Sequence, residues 1–181
     1  MKRHQFTEKF YWRCSFLIVL LIFSTLFIGN PLVTWCSHQG GHALVFLTGM
    51  LLVGAAILMG ALHWEAHWEL WAVRLGLTAV FVLFFLRLSL PERSHVMEYS
   101  VLTYCLFQAL ILRYRNRLSL LHVYLITAVL ATGMGLLDEG IQNLLPNRLG
   151  SWEDVIFDTG AVLFCLFSLS LLGYFKRKFK S

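Results

Sequence analysis

A chain of 181 residues that is 58% hydrophobic and 14% charged, with a mean hydropathy of +0.69, is not composed like a soluble domain, in which about a quarter of residues are charged. Its net charge of +5 is carried by the two chain ends and one short connection, a distribution that argues against a nucleic-acid-binding face.

Apolar runs recur along the whole length, each close to the ~20 residues that cross ~30 Å of hydrocarbon. In chain order they are Cys14 to Trp35, Ala43 to Leu62, Leu70 to Leu90, Val96 to Leu112, Leu118 to Leu137 and Val155 to Tyr174. None shows the strict alternation of a barrel strand. The expected fold class is therefore all-α, a polytopic transmembrane helix bundle of about six spans. Lys and Arg favour the cytoplasmic side. Lys2, Arg3, Lys9 and Arg13 precede span one, Arg74 lies near the second connection, Arg113, Arg115 and Arg117 follow span four, and Lys176, Arg177, Lys178 and Lys180 close the chain. Only Arg87, Arg93 and Arg148 fall on the opposite side, so both termini are expected to be cytoplasmic. The first apolar run exceeds a signal-peptide core and no small-x-small site follows it, so it reads as a retained span. Localisation in the cell inner (plasma) membrane, multi-pass, follows as an expectation.

The four cysteines, Cys14, Cys36, Cys105 and Cys165, lack metal-type spacing and read as packing residues. His63 and His67 stand at i and i+4, but without the HExxH order and among Trp64, Trp68 and Trp71 they read as an interfacial turn. There is no Gly-rich phosphate loop and no nucleophile elbow. No metal and no cofactor are expected.

Carboxylates do not set orientation, which makes their distribution informative. Glu92, Glu98, Asp138, Glu139, Glu153, Asp154 and Asp158 all fall at the outer boundary, leaving Glu8, Glu65 and Glu69 inside. Three helix ends supply them. Glu92-Arg93-Ser94-His95-Val96-Met97-Glu98-Tyr99 opens span four after Pro91, with His95, Glu98 and Tyr99 on one face at i, i+3 and i+4. Glu92 and Ser94 could simply cap the helix while Glu98 pairs with Arg93 or His95. Asp138 and Glu139 close span five, each within reach of Gln142, although a carboxylate at a helix C-terminus is opposed by the macrodipole. Arg148 in the following loop is a salt-bridge partner for them. Ser151, Trp152, Glu153 and Asp154 read as a capping box with an interfacial Trp, and Asp158 lies one turn deeper. An ionisable group at that depth needs a buried partner, a ligand or a water cavity.

The combination Glu92-Arg93-x-His95-x-x-Glu98-Tyr99, Asp138-Glu139-x-x-Gln142-x-x-x-Pro146-x-Arg148 and Asp154-x-x-x-Asp158-x-Gly160-Ala161 resembles the VanZ-like family over roughly Leu70 to Tyr174. The resemblance departs from the usual pattern at Asp158, where many members carry Asn. It implies residues 1–69 as a cytoplasmic tail with two extra spans, 70–175 as a four-helix membrane core and 176–181 as a basic cytoplasmic tail. It further implies a small protein of the bacterial cell envelope, in a family named for resistance to teicoplanin-type glycopeptides and without an established catalytic motif.

The residues support two readings of function. In the first, an outer-face polar pocket made from Glu92, Arg93, His95, Glu98, Tyr99, Asp138, Glu139, Gln142, Arg148, Asp154 and Asp158 binds a lipid-linked cell-wall precursor or an amphiphilic glycopeptide, with membrane lipids as its surroundings. In the second, the same acids and His95 serve an intramembrane hydrolase or transferase, metal-assisted, acting on a lipid-linked substrate. Proton-coupled transport is the weaker expectation, because acids confined to the outer third offer no path inward, and a purely structural bundle is the bland one.

Overall fold

The structure, a computed structural model, describes residues 2–38, 68–88, 90–115, 117–145 and 150–178. Among these residues the secondary structure is helical throughout, in five helices: α1 (Lys2–His38), α2 (Trp68–Arg87), α3 (Leu90–Tyr114), α4 (Leu120–Gln142) and α5 (Trp152–Lys178). Each contains a stretch long and apolar enough to cross a membrane. The span expected at Ala43 to Leu62 lies outside the described residues.

Hydrocarbon offers no partner for backbone N–H and C=O groups, so a chain of this composition satisfies them within helices. Polar side chains inside the helices follow the same rule. The hydroxyls of Ser15, Thr103 and Thr127 are buried, and each donates to the carbonyl one turn back, on Tyr11, Tyr99 and Val123. Outward faces are apolar instead: Leu83 on α2, Leu121, Leu125 and Val129 on α4, and Ile156, Leu163 and Phe167 on α5 are all exposed. An apolar exterior around a partly polar interior suits a lipid solvent.

The helices run further than the apolar runs in sequence suggest. α3 runs through Glu92 and Glu98 to Tyr114, α4 through Asp138 and Glu139 to Gln142, and α5 from Trp152 to Lys178. Hydropathy falls at the first ionisable residue, whereas the helix continues through it when that side chain turns toward a polar interior. In α1 the stretch Thr7–Leu26 is long and apolar enough to cross a membrane, and it overlaps the expected Cys14–Trp35 within the same helix.

Two compact units are interleaved along the chain. The first comprises Met1–Ile28 with Pro91–Phe167, the second Gly29–Leu90 with Ser168–Ser181. The boundary in α1 falls just before Pro31, whose missing N–H leaves the Phe27 carbonyl without its helical partner. Within the first unit, Val96, Tyr99, Leu102, Thr103, Cys105, Leu106, Phe107, Ala109 and Leu110 of α3 are buried. The buried stripe of α4 is Val123, Thr127, Ala131, Gly135, Asp138, Glu139 and Gln142, and that of α5 is Asp158, Ala161, Val162 and Leu166. Spacings of three and four residues keep the stripes of α4 and α5 on one face.

Ser119 caps α4 by accepting from the His122 N–H at 3.4 Å, and this turn reverses the chain between α3 and α4. At the same end of the unit Arg113 on α3 reaches Glu8 on α1 at 3.2 Å. The start of α3, the end of α4 and the start of α5 consequently gather at the other end. Cys14, Cys105 and Cys165 are free thiols, and the Cys165 Sγ lies 3.5 Å from the Ser100 carbonyl oxygen.

Candidate functional site

His95 is five residues into α3, Asp138 four residues before the end of α4, and Asp158 six residues into α5. At a rise of ~1.5 Å per residue, all three lie roughly 6–9 Å inside their helix ends. Antiparallel order therefore brings side chains remote in sequence to one level. His95, Asp138, Glu139 and Asp158 each present a ligand atom to the same small volume, all within 4.8 Å of one another.

The contacts at this cluster are specific. His95 Nδ1 is 3.3 Å from Asp158 Oδ1 and 4.0 Å from Asp138 Oδ2. The shorter contact is at ion-pair distance without hydrogen-bond alignment, so it is an electrostatic contact rather than a bond. The Tyr99 hydroxyl donates to Asp138 Oδ2 at 3.3 Å, and its ring stacks on that of His95 with centroids 6.4 Å apart. Glu139 is held at both oxygens: Oε1 accepts from Gln142 Nε2 at 3.1 Å and Oε2 from the Ser151 N–H at 2.9 Å.

The bond to Ser151 links the site to the local logic of the fold. Ser151 Oγ accepts from the Glu153 N–H at 3.1 Å, as expected of an N-cap. The reciprocal bond to the cap's own N–H, which the sequence assigns to Asp154, comes instead from Glu139 on α4. A carboxylate placed at the N-terminus of α5 is also favoured by the positive end of that helix's dipole. Glu139 thus ties the end of one helix to the start of the next.

Burial is what makes the cluster costly. Asp158 is 1%, Asp138 2% and Glu139 4% exposed. Both oxygens of Asp158 and Oδ1 of Asp138 have no hydrogen-bond partner among the described residues. Buried carboxylates in that state are strong candidates for a bound ligand.

The structure brings together six of the residues singled out in sequence: His95, Tyr99, Asp138, Glu139, Gln142 and Asp158. Glu92, Arg93, Glu98 and Asp154 are half-buried on the same helix turns, and the carboxylates among them fall outside the group of converging ligand atoms. His95 makes its ion-pair contacts with Asp158 and Asp138, which face α3 from the neighbouring helices. Gln142 bonds Glu139, whose side chain turns toward α5. Arg148, His63 and His67 lie outside the described residues.

Gly135 was not singled out in sequence. A Cβ there would stand 3.0 Å from Asp158 Oδ2 and 3.2 Å from Asp158 Cβ, so the absence of a side chain lets α5 bring its aspartate against α4. The available signal is its position three residues before Asp138 and four after Ala131, a small-residue stripe on the acidic face. Gly150 has a similar role outside the helices. Its N–H donates to Asn143 Oδ1 at 3.1 Å, and a Cβ would lie 2.6 Å from Asn143 Nδ2 and against the Glu139 carbonyl oxygen. Gly150→Ala should cost about 1–3 kcal/mol, because a backbone oxygen cannot yield as a side chain does. Thermal unfolding of the purified protein checks this, and an unchanged midpoint would contradict the packing described.

Comparison with known proteins yields no matching family model, no matching curated protein and no matching solved structure. Fold and site together define a class: an α-helical protein, five of whose described helices can cross a membrane, with a histidine–carboxylate cluster buried at one end of one compact unit.

Proposed function

We propose that this chain is a multi-pass, VanZ-like protein of the bacterial plasma membrane with six spans and both termini in the cytoplasm, and that its outer-end polar cluster binds a lipid-linked envelope component or an amphiphilic glycopeptide. The single observation that carries the reading is the convergence of Asp138, Glu139 and Asp158, all nearly inaccessible to solvent, with unpartnered carboxylate oxygens beside His95. A membrane helix bundle that only needed to pack would fill these positions with apolar or small residues, since buried ionisable groups cost several kcal/mol unless compensated. His95, 15% exposed, is the member of the cluster nearest to solvent. A ligand with a polar or ionic head on an apolar tail matches a polar site set among lipid-facing apolar helices.

The test compares susceptibility to teicoplanin-type glycopeptides and to unrelated drugs in cells producing wild type, Asp158→Asn or Asp138→Asn at matched membrane levels. Wild type should raise the inhibitory concentration of the glycopeptides at least about tenfold more than either variant, an energy difference near 1.4 kcal/mol at the site. Equal protection by wild type and variants, or none by wild type, would remove the cluster from this role.

A further inference from the structure

We infer that His95, Asp138, Glu139 and Asp158 form a binding site for one divalent transition-metal cation, of the Mn2+ or Zn2+ class. This goes beyond the envelope-ligand reading and stands or falls without it.

Four observations carry the inference. First, the donor set is right: three carboxylates and one imidazole, each offering one ligand atom, lie within 4.8 Å of one another. Donors around one metal at about 2.1 Å stand roughly 3–4.2 Å apart, so the widest pair must close by about 0.6 Å for an octahedral trans arrangement and by about 1.4 Å for a tetrahedral one. Second, the charge is right. Asp138 and Asp158, at 2% and 1% exposure, make ion-pair contacts among the described residues only with His95, Glu139 adds a third acid beside them, and a dication offsets what a single imidazole does not. Third, the orphaned atoms point inward: Asp158 keeps both oxygens and Asp138 one oxygen without a hydrogen-bond partner, although each residue is more than nine-tenths buried.

Fourth, an outer shell is already in place. Metal-ligating carboxylates are commonly fixed by further hydrogen bonds that set their orientation. Tyr99 holds Asp138 from α3, while Gln142 and the Ser151 N–H hold Glu139 from α4 and from the cap of α5. Each oxygen so held retains a second lone pair for a metal. Gly135 leaves the room in which Asp158 sits. The imidazole suits Zn2+ and the three carboxylates suit Mn2+, whereas Ca2+ and Mg2+ prefer all-oxygen surroundings.

The experiment uses the full chain, purified in detergent, stripped with a chelator and then exposed to Mn2+ or Zn2+ alone before desalting and metal quantification. Wild type should retain about one metal per chain, with a higher unfolding midpoint than the stripped protein. Asp158→Asn and His95→Gln, which remove a donor, should raise the concentration for half-loading by well over tenfold. Tyr99→Phe keeps all four donors but loses the outer hydrogen bond, and should raise it by about tenfold. Glu153→Gln, at an exposed position of α5, should load like wild type. If Asp158→Asn does not fold, His95→Gln decides, because His95 is the most exposed of the four. Wild type that retains less than about a tenth of an equivalent, or a folded His95→Gln that loads like wild type, overturns the proposal.

Discussion

His95→Ala is expected to destabilise the chelator-stripped protein by about 3–5 kcal/mol, the range found when one partner of a buried ion pair is removed. His95 Nδ1 stands 3.3 Å from Asp158 and 4.0 Å from Asp138, and these two carboxylates are 1% and 2% exposed. Without the imidazole they face one another with no cation among the described residues. Part of the loss is then the mutual repulsion of two carboxylates in surroundings of low dielectric. The effect should therefore be non-additive. Asp158→Asn in the His95→Ala background removes one of the orphaned charges, so the double variant should be more stable than the sum of the two single losses. For a chain of this size the single variant corresponds to a fall in unfolding midpoint on the order of 10 °C. Additive losses would mean that His95 and Asp158 do not sense each other.

Gly135→Leu should cost about 2–3 kcal/mol, while Gly133→Leu, two residues away on the same helix, should be neutral or slightly stabilising. The contrast follows from what each side chain would meet. At Gly135 the first added carbon already lies 3.0 Å from Asp158 Oδ2, whereas nothing lies within 4 Å of a Cβ at Gly133. Both substitutions gain about 0.8 kcal/mol of helix propensity. Only Gly135→Leu meets α5, where both a carboxylate oxygen and the Cβ of Asp158 lie within 3.2 Å of the added carbon. Thermal unfolding of the two variants side by side gives the comparison. Similar midpoints would contradict the close approach of α4 and α5 at this level. If Gly135 also shapes the cation site, Gly135→Leu will lose metal retention in parallel with stability.

The composition and the length of the apolar runs were enough to determine that the chain is helical and suited to a membrane, because hydrocarbon admits no other solution for the backbone of such segments. The sequence also placed the candidate residues at three helix ends, since ionisable groups next to apolar spans are rare enough to stand out. Of those residues, His95, Asp138, Glu139 and Asp158 converge. Which of the neighbours join them was not legible. Glu98 shares a helix face with His95 by spacing alone, yet the carboxylates that reach His95 come from α4 and α5. Spacing within a helix reports which side chains are neighbours on one surface, and says nothing of which surface a second helix presents to it.

The same limit hid the donor set from any reading by metal-ligand spacing, because its members come from three helices and are up to 63 residues apart in sequence, from His95 to Asp158. It also hid Gly135, whose importance lies in the atom it lacks, and the bond by which Glu139 completes the cap at Ser151. Solvent and periodicity act locally and are written along the chain. Partner choice depends on how closely two helices approach and on which rotamer fills the gap, and only the packed tertiary structure decides that.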